Sequence, residues 1–256
     1  MFPLDQLIKC AVPAPKPEAF ERFLFVGPHP DDIEIGAGAT AAKLAAAGKA
    51  VCFLIVTDGR YGVENLTEPV APDELATRRH REAIESAAVL GVKDVRFLDL
   101  SDGGFYEEQE LVCGLAEMTA DFQQQVIFAP DPAPINETHP DHLRVGRAAG
   151  QIACFAYNQG IMERYGAAAA PVEAVAFYMT ARPNRFVDTF GFTGLQKKSL
   201  AVHQTQFPAG SGAWKDIQTY LKLRAGFCGL RSGHRRAEGF RVLGQTQWHV
   251  LAEFGE

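Results

Sequence analysis

Arg22 to Asp32 reads RFLFVGPHPDD. Arg22 to Val26 is a short apolar run of strand composition that Gly27-Pro28 ends, with two aspartates just beyond it. Downstream, Gly36 to Gly48 (GAGATAAKLAAAG) reads as an alanine-rich helix with a glycine stop. Ala50 to Val56 (AVCFLIV) follows as a continuous apolar strand, the pattern of one buried on both faces. Strand, loop, helix and strand make one right-handed crossover, the repeating unit of a parallel sheet.

The pattern continues along the chain. Asp73 to Leu90 predicts a long helix with Ala76, Ile84, Ala87, Ala88 and Leu90 inward and its arginines outward. Asp94 to Leu98 is the next strand, Glu107 to Phe122 a helix, Gln125 to Ala129 a strand closed by Pro130, Pro140 to Asn158 a helix and Val172 to Met179 a strand. The expected fold class is α/β, a three-layer sandwich with a mostly parallel sheet. Beyond residue 180 the alternation loosens. A brief strand at Phe186 to Val187, helical stretches at Phe190 to Gln204 and Trp214 to Phe227, and a glycine- and arginine-rich run from Gly226 to Gly239 lead to an apolar C-terminal segment. With no repeat and no flexible linker, residues 1–256 are expected to form one domain, with a lead over 1–21 and a C-terminal extension over about 180–256 packed on the core.

Composition narrows the function. At 47% hydrophobic and 22% charged residues the chain is an ordinary globular protein, large enough to bury a core without metal or disulfide staples. Its 25 Lys plus Arg against 31 Asp plus Glu give a formal charge of −6, so duplex nucleic acid and anionic membranes are poor partners. Cys10, Cys52, Cys113, Cys154 and Cys228 are scattered without a Cys-x-x-Cys, the usage of a reducing compartment. Pro3, Pro13, Pro15 and Pro17 interrupt the lead, which lacks the apolar run of a signal peptide, and Ala50 to Thr57 is too short to span a bilayer. The expectation is a soluble, cytoplasmic protein.

Ligands of open α/β sheets bind at the carboxyl ends of the strands. The first strand delivers His29-Pro30-Asp31-Asp32 there; the fourth is followed by Asn136-Glu137-Thr138-His139-Pro140-Asp141-His142. Either cluster alone is ordinary turn chemistry. Two at one sheet edge can converge. Two histidines and a carboxylate leave an open fourth position, the composition of a catalytic zinc site, and the absence of cysteine speaks against a structural one. The adjacent Asp31 and Asp32 point apart in an extended turn, so one can hold a metal while the other faces water. His80, His203, His234 and His249 have no such company and read as surface or core histidines.

Gly36-Ala37-Gly38-Ala39-Thr40-Ala41, with Asp58 some way on, offers a rival: the G-x-G-x-x-A fingerprint of a nicotinamide-dependent oxidoreductase. That fingerprint must open in the turn directly after the first strand, whereas His29, Asp31 and Asp32 intervene here. The glycines are instead expected to let the helix start pack close beneath the site. There is also no G-x-S-x-G elbow, phosphate loop or H-E-x-x-H helix.

Pro28-His29-Pro30-Asp31-Asp32 with Gly36, together with His139-Pro140-Asp141-His142, resembles the PIG-L/LmbE-like family of zinc-dependent N-acetylglucosaminyl deacetylases. Arg79 and Glu82 before Leu90-Gly91, the Asp102-Gly103 turn, Lys197 or Lys198 before His203-Gln204-Thr205-Gln206, and Ala237 to Phe240 resemble further family landmarks, in order, so the likeness spans about residues 22–242. It implies a Rossmann-like sheet and hydrolysis of an acetamide on a glucosamine unit. By the family pattern His29, Asp32 and His142 would hold Zn2+ or another divalent transition metal, and Asp31 would be the general base. His139 would stabilise the oxyanion or protonate the leaving amine, oriented by Asp141, while Arg79 and Asp102 would hold substrate. Thr205-Gln206 departs from the usual Ser-Gln, and Gly244 to Glu256 matches no landmark. The implied partner is a small N-acetylated amino sugar, with a homo-oligomer left open. A non-catalytic sugar-binding protein of the same fold is the remaining alternative, which the intact Asp31 argues against.

Overall fold

The continuous apolar runs become strands because a parallel sheet covered by helices on both faces needs apolar side chains at every position, not every second one. The computed structural model describes residues 4–66 and 68–250. Its strands are β1 (Arg22–Gly27), β2 (Ala50–Thr57), β3 (Asp94–Leu100), β4 (Val126–Pro130), β5 (Ala174–Tyr178), β6 (Arg185–Asp188) and β7 (Ala237–Gly244), in one seven-stranded sheet of order β3-β2-β1-β4-β5-β7-β6. β1 to β5 run parallel; β7 is antiparallel to both β5 and β6. The helices are α1 (Leu4–Ala11), α2 (Asp32–Ala46), α3 (Pro72–Val89), α4 (Glu108–Phe122), α5 (Pro140–Phe155), α6 (Gln159–Arg164), α7 (Thr193–Leu200), α8 (Gly212–Ser232) and α9 (Gln245–His249). None is long and apolar enough to cross a membrane, and the five cysteines are free.

Alternate residues of each central strand feed opposite layers. Leu24, Val26, Leu54 and Ile127 pack with Leu111, Leu115, Val145 and Ile152 of α4 and α5. Phe23, Phe25, Phe53 and Phe128 pack with Ile33, Ala37, Ala41, Ala83 and Ala87 of α2 and α3, and Phe25 stacks on Phe128 at 4.3 Å between centroids. The expected three-layer, mostly parallel, Rossmann-like sandwich is the observed one.

Three local expectations are corrected. The first helix begins at Asp32 rather than Gly36, so the glycines lie inside it, at a kink where Ala37 leaves helical geometry (φ −148°, ψ 15°). Gly36 faces the fully buried Tyr178 ring, and a Cβ there would come within 2.1 Å of it; Gly38 faces Gln196. The kink frees the N–H groups of Ala39 and Thr40, which donate to the buried Glu238 carboxylate (3.3 and 2.8 Å). Side chains fill the space around the glycines, so a nicotinamide-type phosphate cradle has no place there. In α3, Ile84 and Ala88 are exposed, and the buried face carries Leu75, Arg79, Glu82, Ala83, Ser86 and Ala87. The arginine expected outward with its neighbours, Arg79, is thus inside. Finally, residues 180–244 are more than a covering, because β6 and β7 extend the sheet. Leu251 to Glu256, part of the unmatched segment, lie outside the described residues.

Candidate metal centre

β1 sits where the strand order reverses, with β2 on one side and β4 on the other, which opens a crevice at its carboxyl end. The turn after β1 is anchored to β2 through Pro28, whose carbonyl accepts from the N–H and the hydroxyl of Thr57 (2.9 and 2.7 Å). Asp31 then takes φ +124°, a conformation that side chains rarely adopt and that persists only where the surroundings enforce it. Its consequence is that the adjacent carboxylates diverge. Asp32 turns back, accepting from the His29 N–H at 2.9 Å, and its Oδ2 lies 3.0 Å from His29 Nδ1 and 3.4 Å from His142 Nε2. Asp31 Oδ2 lies instead 3.3 Å from Arg79 Nη2.

The second cluster opens α5. His139 caps the helix, its Nδ1 accepting from the Asp141 N–H at 3.3 Å, Pro140 occupies the first turn, and His142 follows within that turn. Glu137 braces both histidines. One carboxylate oxygen accepts from the His139 N–H (2.7 Å) and the other lies 2.8 Å from His142 Nδ1. Asp141 Oδ2 accepts from the Gly103 N–H (2.8 Å) and contacts His29 Nε2 at 3.1 Å, closer than its 3.8 Å to His139 Nδ1.

His29, Asp32 and His142 each present one ligand atom, and these atoms lie within 4.8 Å of one another. Two imidazoles and a carboxylate fit a divalent transition metal, and a carboxylate on the far nitrogen of each imidazole (Asp141 for His29, Glu137 for His142) is how such ligands are held and made more basic. Without a metal the histidines hold protons instead. Burial opposes their charge, but Asp141 and Asp32 raise His29 to about 10, and Asp32 and Glu137 raise His142 to about 9. Burial likewise pushes Asp32 up, yet the two histidines outweigh it and hold this carboxyl well below the usual range. For Asp31 burial wins, only partly offset by Arg79, and its carboxyl rises to about 6. His139 at the mouth is lowered by burial and by the neighbouring histidines.

A cavity of about 300 Å³ opens over the centre, with Asp31, Arg79, Asp102 and His139 on its walls. Arg79, 3% exposed, donates to the carbonyls of Pro30 (2.9 Å) and Gly59 (3.1 Å) as well as meeting Asp31. Asp102 Oδ2 accepts from the Tyr61 N–H at 3.2 Å, while its buried Oδ1 has no protein partner. Beneath the site, Glu34 accepts from Ser86 (2.6 Å) and contacts His203 at 3.3 Å, making His203 a core histidine as expected. Sequence reasoning assigned no role to Glu137, Glu34 or Ser86. Glu137 was within reach, lying inside the quoted cluster, whereas Glu34 and Ser86 are recognisable only by burial.

Fold and site together define a Rossmann-like α/β protein with a two-histidine, one-carboxylate group, able to hold a divalent metal, at the switch point of its sheet. Residues 24–153 match the family model described as PIG-L, GlcNAc-PI de-N-acetylase. The chain belongs to this PIG-L family. It is 33% identical over 234 residues to a diacetylchitobiose deacetylase from Thermococcus kodakarensis, covering 90% of this chain and 86% of that protein. A 1D-myo-inositol 2-acetamido-2-deoxy-alpha-D-glucopyranoside deacetylase from Kineococcus radiotolerans is 31% identical over 194 residues, covering 64% of this chain and 53% of that protein. Among solved structures, N,N'-diacetylchitobiose deacetylase from Pyrococcus horikoshii superposes with a TM-score of 0.82 at 32% identity, covering 90% of this chain and 86% of that one.

Proposed function

We propose that the protein is a metal-dependent hydrolase that removes the acetyl group from an N-acetylglucosamine-type sugar or glycoconjugate, releasing acetate and the free amine. The observation that carries the proposal is the convergence of His29, Asp32 and His142 beside a second, separately oriented carboxylate on Asp31. The likeness to deacetylases of acetylated amino sugars along most of the chain supports the same reaction.

In this reading His29, Asp32 and His142 hold the metal, Zn2+ or another divalent transition ion that imidazole and carboxylate donors accept. A divalent ion there would supply Lewis acidity, polarising the acetyl carbonyl and making water a better nucleophile near neutral pH. Asp31 takes the water's proton. Burial, only partly offset by Arg79, favours the neutral carboxyl there, so a proton taken from the water is readily held. Arg79 holds the Asp31 carboxylate and, with Asp102 on the cavity wall, a sugar hydroxyl. His139 accepts the Asp141 N–H at Nδ1, which assigns its proton to Nε2, where it can donate to the developing oxyanion or to the leaving amine. Asp141 orients this edge through His29 and the His139 cap.

We read residues 1–256 as one deacetylase domain, supported by the single sheet that runs from residue 22 to 244, and place it in the cytoplasm on its five free thiols. The test is acetate release from a panel of N-acetylated sugars with and without chelator. Chelator-sensitive release is expected, and no release from any member by metal-loaded protein would refute the proposal.

A further inference from the structure

A second cavity, of about 620 Å³, lies between α7 and α8 and shares no wall residue with the one over the metal centre. Its walls carry four cations and no carboxylate: Lys197 from α7, Lys215 and Lys222 from α8, and Arg236 from the turn before β7. On a chain with a net charge of −6 this is a local reversal of sign. Among the described residues none of the four meets a carboxylate within ion-pair distance. Cations on the surface of α3 are matched instead, Arg78 with Glu74 and Arg81 with Glu85, each pair one turn apart.

Helical spacing makes the cluster. Lys215, Thr219 and Lys222 recur at i, i+4 and i+7, so α8 presents them on one face, with Lys197 of α7 on the opposite wall; Asp216, beside Lys215, is not on that wall. Like charges gathered around one groove repel, and the fold gains nothing from that arrangement by itself. α7 also opens here, on Thr193 and Gly194, without a side-chain cap, and a Cβ on Gly194 would meet nothing within 4 Å. The positive end of this helix thus adds to the side-chain charges. Leu221 and Ala225 give the same cavity an apolar stretch of wall, and its volume falls in the range of small-molecule sites, about 300–1,000 Å³.

We propose that this cavity binds a phosphorylated small molecule of nucleotide size, its phosphates held by Lys197, Lys215, Lys222 and Arg236 and its ring resting on Leu221 and Ala225. The lysines act as adjustable point charges and Arg236 adds a planar fork, the combination that phosphate groups accept. Gln196 lies on the same wall and donates to the Glu34 carbonyl and to Glu238, so the occupant sits one side chain from the helix that opens on Asp32.

The experiment is calorimetric titration of the metal-loaded full chain with ADP, inorganic pyrophosphate and adenosine at low and high salt, for the wild type, Lys215→Glu, Lys222→Glu and Lys198→Glu. Lys198, exposed on α7 but off the cavity wall, controls for the change in overall charge. ADP should bind, pyrophosphate more weakly and adenosine not at all, with affinity falling as salt rises. Lys215→Glu and Lys222→Glu should each weaken ADP binding about tenfold or more, the scale of one lost charge-assisted contact, and Lys198→Glu less than about threefold. No ADP binding, or an equal loss in Lys198→Glu and Lys222→Glu, overturns the site. ADP binding untouched by both cavity variants puts the nucleotide elsewhere and overturns it equally. Pyrophosphate binding as tightly as ADP overturns the role given to Leu221 and Ala225. The deacetylase reading is independent of all these outcomes.

Discussion

Replacing Asp31 by Asn should stabilise the metal-free protein while disabling it, and the gain should depend on pH. Burial raises the Asp31 carboxyl from its ordinary 3.8 to about 6, a difference equivalent to up to about 3 kcal/mol against the charged form. Because the folded value lies above the unfolded one, the penalty is absent below about pH 3.8, grows through the interval to pH 6 and is constant above it. Asn keeps the shape and tolerates the positive φ, but has no charge to desolvate. It also leaves the Arg79 guanidinium without its carboxylate, though the carbonyls of Pro30 and Gly59 remain as acceptors, so no more than about 2 kcal/mol should survive at pH 8. The assay is urea denaturation of both proteins in chelator at pH 4.5 and pH 8, with kinetics of the metal-loaded forms in parallel. Asp31→Asn should gain stability relative to wild type on going to pH 8, retain metal, and lose about 10²–10⁴-fold in kcat. A stability difference that is the same at both pH values, or full activity, would refute the assignment of a strained, proton-accepting carboxylate.

Three further outcomes follow from the geometry. Glu137→Gln should weaken metal affinity about 10–100-fold by removing the charge that braces His142, and an unchanged Kd in a metal titration would remove Glu137 from the site. Metal uptake should displace protons from His29 and His142, which are raised to about 10 and 9, so affinity should climb from pH 6 to pH 9; calorimetry in buffers of different ionisation heat should read proton release at pH 7, and none would contradict the pairing. Gly36→Ala, which in an open helix gains about 1 kcal/mol, should lower Tm, because the new methyl meets the Tyr178 ring and overpacking costs about 1–3 kcal/mol; a raised Tm would refute the contact.

The strands were legible because sheet strands buried on both faces write themselves as apolar runs. AVCFLIV became β2 within a residue at each end, and the convergence of the two His/Asp clusters followed from strand order at the switch point. What the sequence concealed is polar. α3 defeats periodicity because its inward face serves the site: Arg79 meets Asp31, Glu82 accepts from the Thr205 N–H and hydroxyl (3.0 and 2.5 Å), and Ser86 donates to Glu34. β7 was missed because Glu238 and Arg241 break its apolar pattern, and each is buried or half-buried against a distant partner, Thr40 for the first and Asp131 for the second. The early start of α2 was hidden because Asp32, a candidate ligand, occupies its first turn. In each case local pattern gives way where a side chain answers to a buried polar partner instead of the apolar core.

That polar underlayer also explains what the C-terminal third does. The candidate ligands and the acid and base candidates all fall between residues 29 and 142, inside the stretch matched by the family model. Yet the helix that carries Asp32 is held from below by residues beyond that stretch. Tyr178 fills the space over Gly36 and donates its hydroxyl to the Val26 carbonyl at 2.8 Å, and Arg224 donates to the carbonyl of Gly36 itself. Gln196 donates both to the Glu34 carbonyl (2.8 Å) and to Glu238 (2.9 Å), which receives the N–H groups released at the kink. A buried carboxylate such as Glu238, raised by burial, is tolerable only while those donors surround it, so the kink and β7 require each other. Residues 174–244 therefore supply the side chains that hold the first turns of α2, the helix that opens on Asp32, against the end of β1.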